Sequence, residues 1–393
     1  MRRFRRVVFW AHLCTAVSVG LIVLIMSVTG VLLAYERQLT WWADTRSVDA
    51  GPATPGQPRL HIDALVERAT AAFEGAPTAV TWRAEAGAPV VVAFDGDRTL
   101  LVNAWTGVVL GEGAGGTRAF FARVTEWHRW LGMRGDGRLL GRGITGAANL
   151  GFLFLVLTGP ILWWPSNRTW PAVRSVLLFR RRLTGRRRDF NWHHVIGVWS
   201  ALPLLIIIAS ASVISYPWAS SLLYGIAGAV ESSAAPSHAA DHAAADIPAG
   251  ADASTRAAAL DARAERQVPG WRIITRRVPR AADEPVTYTI DSGNGGQPQR
   301  QARLVLDPVS GEVMQWSPFS SGTRTSRLRS LLRYVHTGEV AGVAGQTLAG
   351  LVSLGTALLV WTGYALALRR LLGWRARQER TRQGMRDTRS SAT

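Results

Sequence analysis

Of the eight histidines in the chain, four fall at corresponding places in its two halves. His12 and His193 each open a long apolar stretch, while His128 and His336 each lead into one. Neutral imidazole is a good ligand for iron, and a haem held between two helices takes one histidine on each face. The arrangement therefore predicts two bis-histidine haem sites, His12 with His193 and His128 with His336. For any one of these residues the plainer reading is a helix-end histidine bonded to water or backbone. The paired placement is what favours iron.

His194 rivals His193, because adjacent helical residues point about 100° apart and only one can face a shared ligand. His193 is preferred, since Gly197 follows one turn later on the same face. His128 and Gly132 share that spacing, and Ala16 stands at the matching place after His12. A porphyrin also needs room and cations for its propionates. Gly20, Gly132, Gly146, Gly151, Gly197, Gly342, Gly345 and Gly350 are candidates for the room. Arg129, Arg134 and Arg333 at one face, with Arg5, Arg6, Arg187 and Arg188 at the other, are candidates for the charge, although the same residues serve topology. His61, His238 and His242 sit in loops and receive no role. The lone Cys14 excludes a disulfide framework and a thiolate cluster.

The elements that must position these residues are membrane helices. The chain of 393 residues is 48% hydrophobic and 18% charged, with its apolar residues gathered into blocks. Four blocks, 7–35, 144–164, 195–218 and 340–368, reach the roughly 20 residues that a helix needs to cross the hydrocarbon core. The first is too long for a secretory signal and is read as a retained anchor. All 45 basic residues are arginine, giving a net charge of +18. Arginines gather before span 1, between spans 2 and 3, and after span 4. That pattern predicts cytoplasmic termini and two large loops facing outward, and it fits topology better than nucleic-acid binding.

Each outward loop reads as a small α+β module. In the first, 61–73 is predicted helical, followed by strands at 79–82, 90–94 and 99–104. In the second, an alanine-rich tract at 232–253 precedes a helix at 256–265 and strands at 271–277, 286–290 and 302–306. Matching turns close them, Asn103-Ala-Trp-Thr-Gly107 and Asp307-Pro-Val-Ser-Gly311. The order predicts two parallel repeats. The organisation is an arm with span 1 (1–36), module 1 (37–117), a His-bearing segment with span 2 (118–165) and an Arg-rich loop (166–192). Span 3 (193–218), module 2 (219–323), a second His-bearing segment with span 4 (324–370) and a tail (371–393) complete it.

Several strings resemble the PepSY-associated transmembrane family, which includes iron-regulated membrane proteins and bacterial ferric-siderophore reductases. They are His-Arg-Trp-Leu-Gly at 128–132, Leu-Thr-Gly-Pro-Ile-Leu-Trp-Trp-Pro at 157–165, His-His-Val-Ile-Gly-Val-Trp at 193–199 and His-Thr-Gly-Glu at 336–339, with Thr29-Gly30 and Thr362-Gly363. Two departures are Asn103 where the family's turn has Asp, and Ser210-Ala-Ser-Val in span 3 where Thr-Gly is expected. Neither touches a predicted ligand. The resemblance implies a four-helix transmembrane bundle of the bacterial inner membrane carrying two PepSY-like periplasmic modules. It also implies an oxidoreductase with two haem b groups that delivers electrons from an unidentified donor to a ferric siderophore or other Fe(III) chelate. Other readings are a peptide- or protease-binding anchor without redox activity and a quinol-linked cytochrome serving another periplasmic acceptor. A transporter ranks last, for want of a charge deep in a span.

Overall fold

The computed structural model describes residues 2–46, 48–96, 98–164, 169–229, 244–248 and 250–390. In chain order its helices are α1 (Arg2–Leu33), α2 (Glu36–Thr45), α3 (Ile62–Ala71), α4 (Gly115–Trp130), α5 (Gly137–Trp163) and α6 (Trp170–Leu177). They continue with α7 (Gly185–Ser215), α8 (Pro217–Ala229), α9 (Ala253–Gln267), α10 (Arg324–Thr337) and α11 (Gly342–Ser390). The strands are β1 (Pro77–Arg83), β2 (Val90–Phe94), β3 (Arg98–Val102), β4 (Val109–Gly111), β5 (Ile273–Arg277), β6 (Val286–Asp291), β7 (Gln301–Leu306) and β8 (Val313–Pro318). The chain divides into a helical unit (Met1–Ala34, Arg123–Ser220, Gln346–Thr393) and a sheet unit (Tyr35–Ala122, Ser221–Gly345). His238 and His242, with most of the alanine-rich tract, lie outside the described residues.

In the helical unit, α1, α5, α7 and α11 are each long and apolar enough to cross a membrane, so the protein is a membrane protein. Lipid offers no hydrogen bonds, and a helix satisfies its own backbone, which is why these blocks fold as helices. Large apolar side chains such as Leu21, Leu157, Leu202, Ile206 and Trp361 remain exposed, as residues facing lipid do. The neighbours run antiparallel. Arg5 reaches the carbonyls of Leu162 and Trp164, Asn149 reaches Ile208 and Ser212, and Gln346 reaches the Ala34 carbonyl.

Glycine sets how closely these helices approach. A Cβ on Gly151 would stand 3.0 Å from Val19, one on Gly146 2.6 Å from the Tyr216 hydroxyl, and one on Gly20 2.8 Å from the Tyr364 hydroxyl. Gly146 and Gly151, predicted to make room for a cofactor, are thus filled by neighbouring side chains. Leu204, Ile208 and Val352 form the buried core between helices.

The sheet unit corrects the expectation of two separate small sheets. All eight strands form one sheet in the order β4-β3-β2-β1-β5-β6-β7-β8, joined where β1 pairs antiparallel with β5. At the join Val80 faces Arg276, Trp82 faces Ile274, and the hydroxyls of Thr81 and Thr275 are 2.9 Å apart. Period-two burial along β2 and β6 turns Val90, Val92, Phe94, Val286, Tyr288 and Ile290 into a core covered by Leu65 and Ala69 of α3 and Leu260 and Ala264 of α9.

Beneath the join lies a buried polar network. Arg276 pairs with Asp261 at 3.0 Å and with Asp63, and the Tyr288 hydroxyl donates to Asp261 at 2.9 Å. Burial pushes the Asp261 carboxyl up to about 7, an effect that the Arg276 charge offsets only in part. The two closing turns have the same geometry. Asn103 Oδ1 accepts from the backbone of Trp105 and Thr106, and Asp307 Oδ1 accepts from that of Val309 and Ser310. Gly107 and Gly311 follow at φ 70° and 69°, a conformation that favours glycine.

Candidate functional site

Antiparallel packing places the start of α1, the end of α5, the start of α7 and the middle of α11 at one level of the helical unit. A cavity of about 510 Å³ opens among them, within the usual range for cofactor pockets. His12 of α1 and His193 of α7 both line it, so the structure brings this predicted pair to one space. Most of the remaining lining is apolar, including Leu13, Phe152, Leu204 and Leu359. Ala16, Gly159, Gly197 and Gly363 leave width between the helices, while the space at Gly20 is taken by Tyr364. His194 lines the same cavity, with its Nδ1 2.8 Å from the Phe190 carbonyl of its own helix and its ring 4.0 Å from that of Phe190.

The expected cation set needs correction. Arg5, Arg186 and Arg370 reach the cavity, and Arg370 also stacks on Phe9 and Trp10. Arg188 instead pairs with Asp189, which Arg369 holds from the other side at 3.1 Å. Arg6 and Arg187 do not line the cavity. Arg129 stacks on Trp130, and Arg134 pairs with Glu126 at 2.9 Å.

His12, His193 and His128 are each gripped from a second helix by a threonine, whereas His194 is not. Thr158 Oγ1 lies 2.8 Å from His12 Nδ1, Thr362 Oγ1 3.0 Å from His193 Nδ1, and Thr29 Oγ1 2.9 Å from His128 Nδ1. Every one of these threonines begins a Thr-Gly pair. Where the glycine meets the imidazole, a Cβ would stand 3.6 Å from the ring, at Gly363 against His193 and at Gly30 against His128. Sequence reasoning noted the Thr-Gly recurrence and gave it no role. The available signal was the repetition of one dipeptide across three spans.

His128 lies near the end of α4, and there the inferred His-x-x-x-Gly face does not hold. Leu131 and Gly132 turn to φ 53° and 75°, so Gly132 ends the helix instead of continuing its face. Gly141 of α5 packs directly on the Trp130 carbonyl and fixes that turn. His336, in the last turn of α10, belongs to the sheet unit, and Gly338 caps its helix at φ 76°. Gly342, expected to give room, sits at φ 65°, and Gly345 packs against the Gly338 carbonyl. Gly350 lies against Ala34, and His61 precedes α3 as its N-cap.

The donor set suits a haem. Among the described residues no cluster of three or more His, Cys, Asp or Glu side chains forms a site for a bare ion. A haem brings four in-plane nitrogens and asks the protein for two axial ligands. The cavity offers two imidazoles, an apolar wall and arginines at one end. No curated protein matches the chain. The family of PepSY-associated TM regions matches residues 9–383, nearly the whole length, and the chain belongs to that family.

Proposed function

We propose that the protein is a di-haem b electron-transfer protein of the bacterial inner membrane that reduces a ferric siderophore or similar Fe(III) chelate at the periplasmic side. The observation that carries this reading is His12 and His193, from opposite helices, lining one apolar cavity with each Nδ1 engaged by a threonine. Bound there, haem supplies a one-electron redox centre. His12 and His193 would hold its iron, the apolar wall would exclude water, and Arg186 and Arg370 with Arg5 would meet the propionates. For His128 and His336, which belong to different units, the assignment of a second haem rests on the sequence alone.

The arginine runs favour cytoplasmic termini and a periplasmic sheet unit. Reading the chain as two parallel repeats, each with a PepSY-like module, is supported by the paired turns at Asn103 and Asp307 and by the mirrored strand order about the β1–β5 join. Fe(III) is a hard ion that oxygen donors hold tightly, and one added electron weakens that preference, so reduction releases iron as Fe(II). The donor is an unidentified cytoplasmic or membrane reductant.

Anaerobic mixing of dithionite-reduced, desalted protein with ferric chelates tests the reading. It predicts reoxidation of the haem bands together with Fe(II) captured by a chromogenic chelator. Haem bands that stay reduced with every ferric chelate would remove the siderophore substrate and favour a cytochrome serving another acceptor. A colourless protein would favour a peptide-binding anchor.

A further inference from the structure

We infer that Thr158 and Thr362, and Thr29 by the same geometry, are positioning residues that fix which nitrogen of each histidine carries the proton and so present Nε2 to iron. The inference rests on the haem reading above. Each threonine hydroxyl lies in hydrogen-bond range of a carbonyl one turn back in its own helix: Thr158 of Phe154 at 2.8 Å, Thr362 of Leu358 at 2.8 Å, and Thr29 of Ile25 at 2.7 Å. A carbonyl only accepts, and a hydroxyl has one hydrogen to give. With that hydrogen given to the carbonyl, the hydroxyl turns a lone pair to the imidazole, which assigns Nδ1–H as the donor in all three contacts. A neutral imidazole protonated at Nδ1 carries its lone pair on Nε2, the form that ligates metal.

Threonine suits this task at membrane depth. Its branched Cβ restricts χ1, and its hydroxyl back-bonds within the helix, so the oxygen is held before the histidine arrives. No charge is needed, whereas a carboxylate in the same place would be costly in the bilayer. The three contacts recur on three helices, α1, α5 and α11, each toward a histidine on a different helix. Simple helix-to-helix adhesion makes a different forecast, and Thr356 provides the control. It lies on α11, is 1% exposed, and donates to its own helix at the Val352 carbonyl, 2.9 Å away.

Thr158→Val and Thr362→Val should be compared with Thr158→Ser, Thr362→Ser and Thr356→Val in the full-length, detergent-purified protein. Haem retention against an excess of apomyoglobin and a redox titration followed by absorption are the readouts. Each Thr→Val at a histidine should lower haem affinity about 10- to 100-fold, the usual effect of removing such an outer partner. The midpoint potential of the haem that remains should rise, because an imidazole without its acceptor donates less electron density to Fe(III). Serine should restore both properties, and Thr356→Val should change neither. Unchanged affinity and potential in both histidine-facing valine variants, or an equal shift in Thr356→Val, would overturn the inference while leaving the haem reading intact. A wild-type protein without haem bands would overturn both.

Discussion

The two units bury polar groups in opposite ways. The sheet unit places full charges under its sheet, with Arg276 between Asp261 and Asp63 and the Tyr288 hydroxyl completing the set. The helical unit buries neutral groups at its centre: Thr29, Thr158, Thr362, Asn149, Ser212 and Gln346, while Asp189 at the start of α7 is paired with Arg188 and with Arg369 of α11. Lipid explains the difference. An ion beneath a sheet still has water nearby and neighbouring charges to answer it, whereas an ion at bilayer depth has little of either. A neutral environment also suits the candidate site, since iron takes neutral imidazole.

Perturbing each unit's own device sharpens this contrast, and the largest effect belongs to the charged one. Arg276→Leu leaves Asp261 buried without its counter-charge and should destabilise the sheet unit by about 3–5 kcal/mol, read by chemical denaturation of the full chain. Haem absorption below the transition should remain. In the helical unit close backbone approach takes the place of charge. Gly141→Ala drives a methyl into the Trp130 carbonyl and should cost about 1–3 kcal/mol, with altered absorption if the end of α4, which carries His128, is displaced.

A neutral bond between spans should matter less. Asn149→Ala removes the donations to the Ile208 carbonyl and the Ser212 hydroxyl and should cost roughly 0.6–1.7 kcal/mol, measured by thermal unfolding in detergent. The most gradual effect is that of pH on the sheet unit. Folding raises the Asp261 pKa to about 7 from an ordinary value near 4, so the folded state holds a proton that the unfolded chain has released. The stability this group contributes is complete below pH about 4 and is lost as pH rises to about 7. Asp261→Asn should flatten that slope, and a slope of the opposite sign would contradict the burial argument.

Local signals made much of this architecture legible. The four spans follow from apolar blocks with arginine flanks, and β2 matches its alternating Val90–Phe94 string residue for residue. Weak signals hid other parts. Strand β8 carries Gln315, Ser317 and Pro318 at an edge, so it shows little alternation, and β4 is three residues long and ends in glycine. The β1–β5 join is a tertiary pairing between segments nearly two hundred residues apart, and neither strand advertises its partner.

The candidate site divides in the same way. His12 and His193 stood out because histidine is rare and costly at the ends of apolar blocks. The threonines that hold them were visible only as a recurring dipeptide, because each faces a histidine on another helix. The lack of Thr-Gly in span 3 therefore gains meaning. Ser210 stands seventeen residues after His193, as Thr29 stands seventeen after His12, so a hydroxyl is kept at that register while the methyl group is lost.

The central claim is that imidazoles from α1 and α7 clamp one haem in the helical unit. Absorption spectra of the purified protein, oxidised and then dithionite-reduced, test it most directly when wild type is compared with His12→Ala, His193→Ala and His194→Ala. The account predicts a reversible low-spin spectrum in wild type and in His194→Ala, and loss of the same low-spin component in both His12→Ala and His193→Ala. A wild type without haem bands, or an undiminished low-spin spectrum in His12→Ala and His193→Ala, would contradict it.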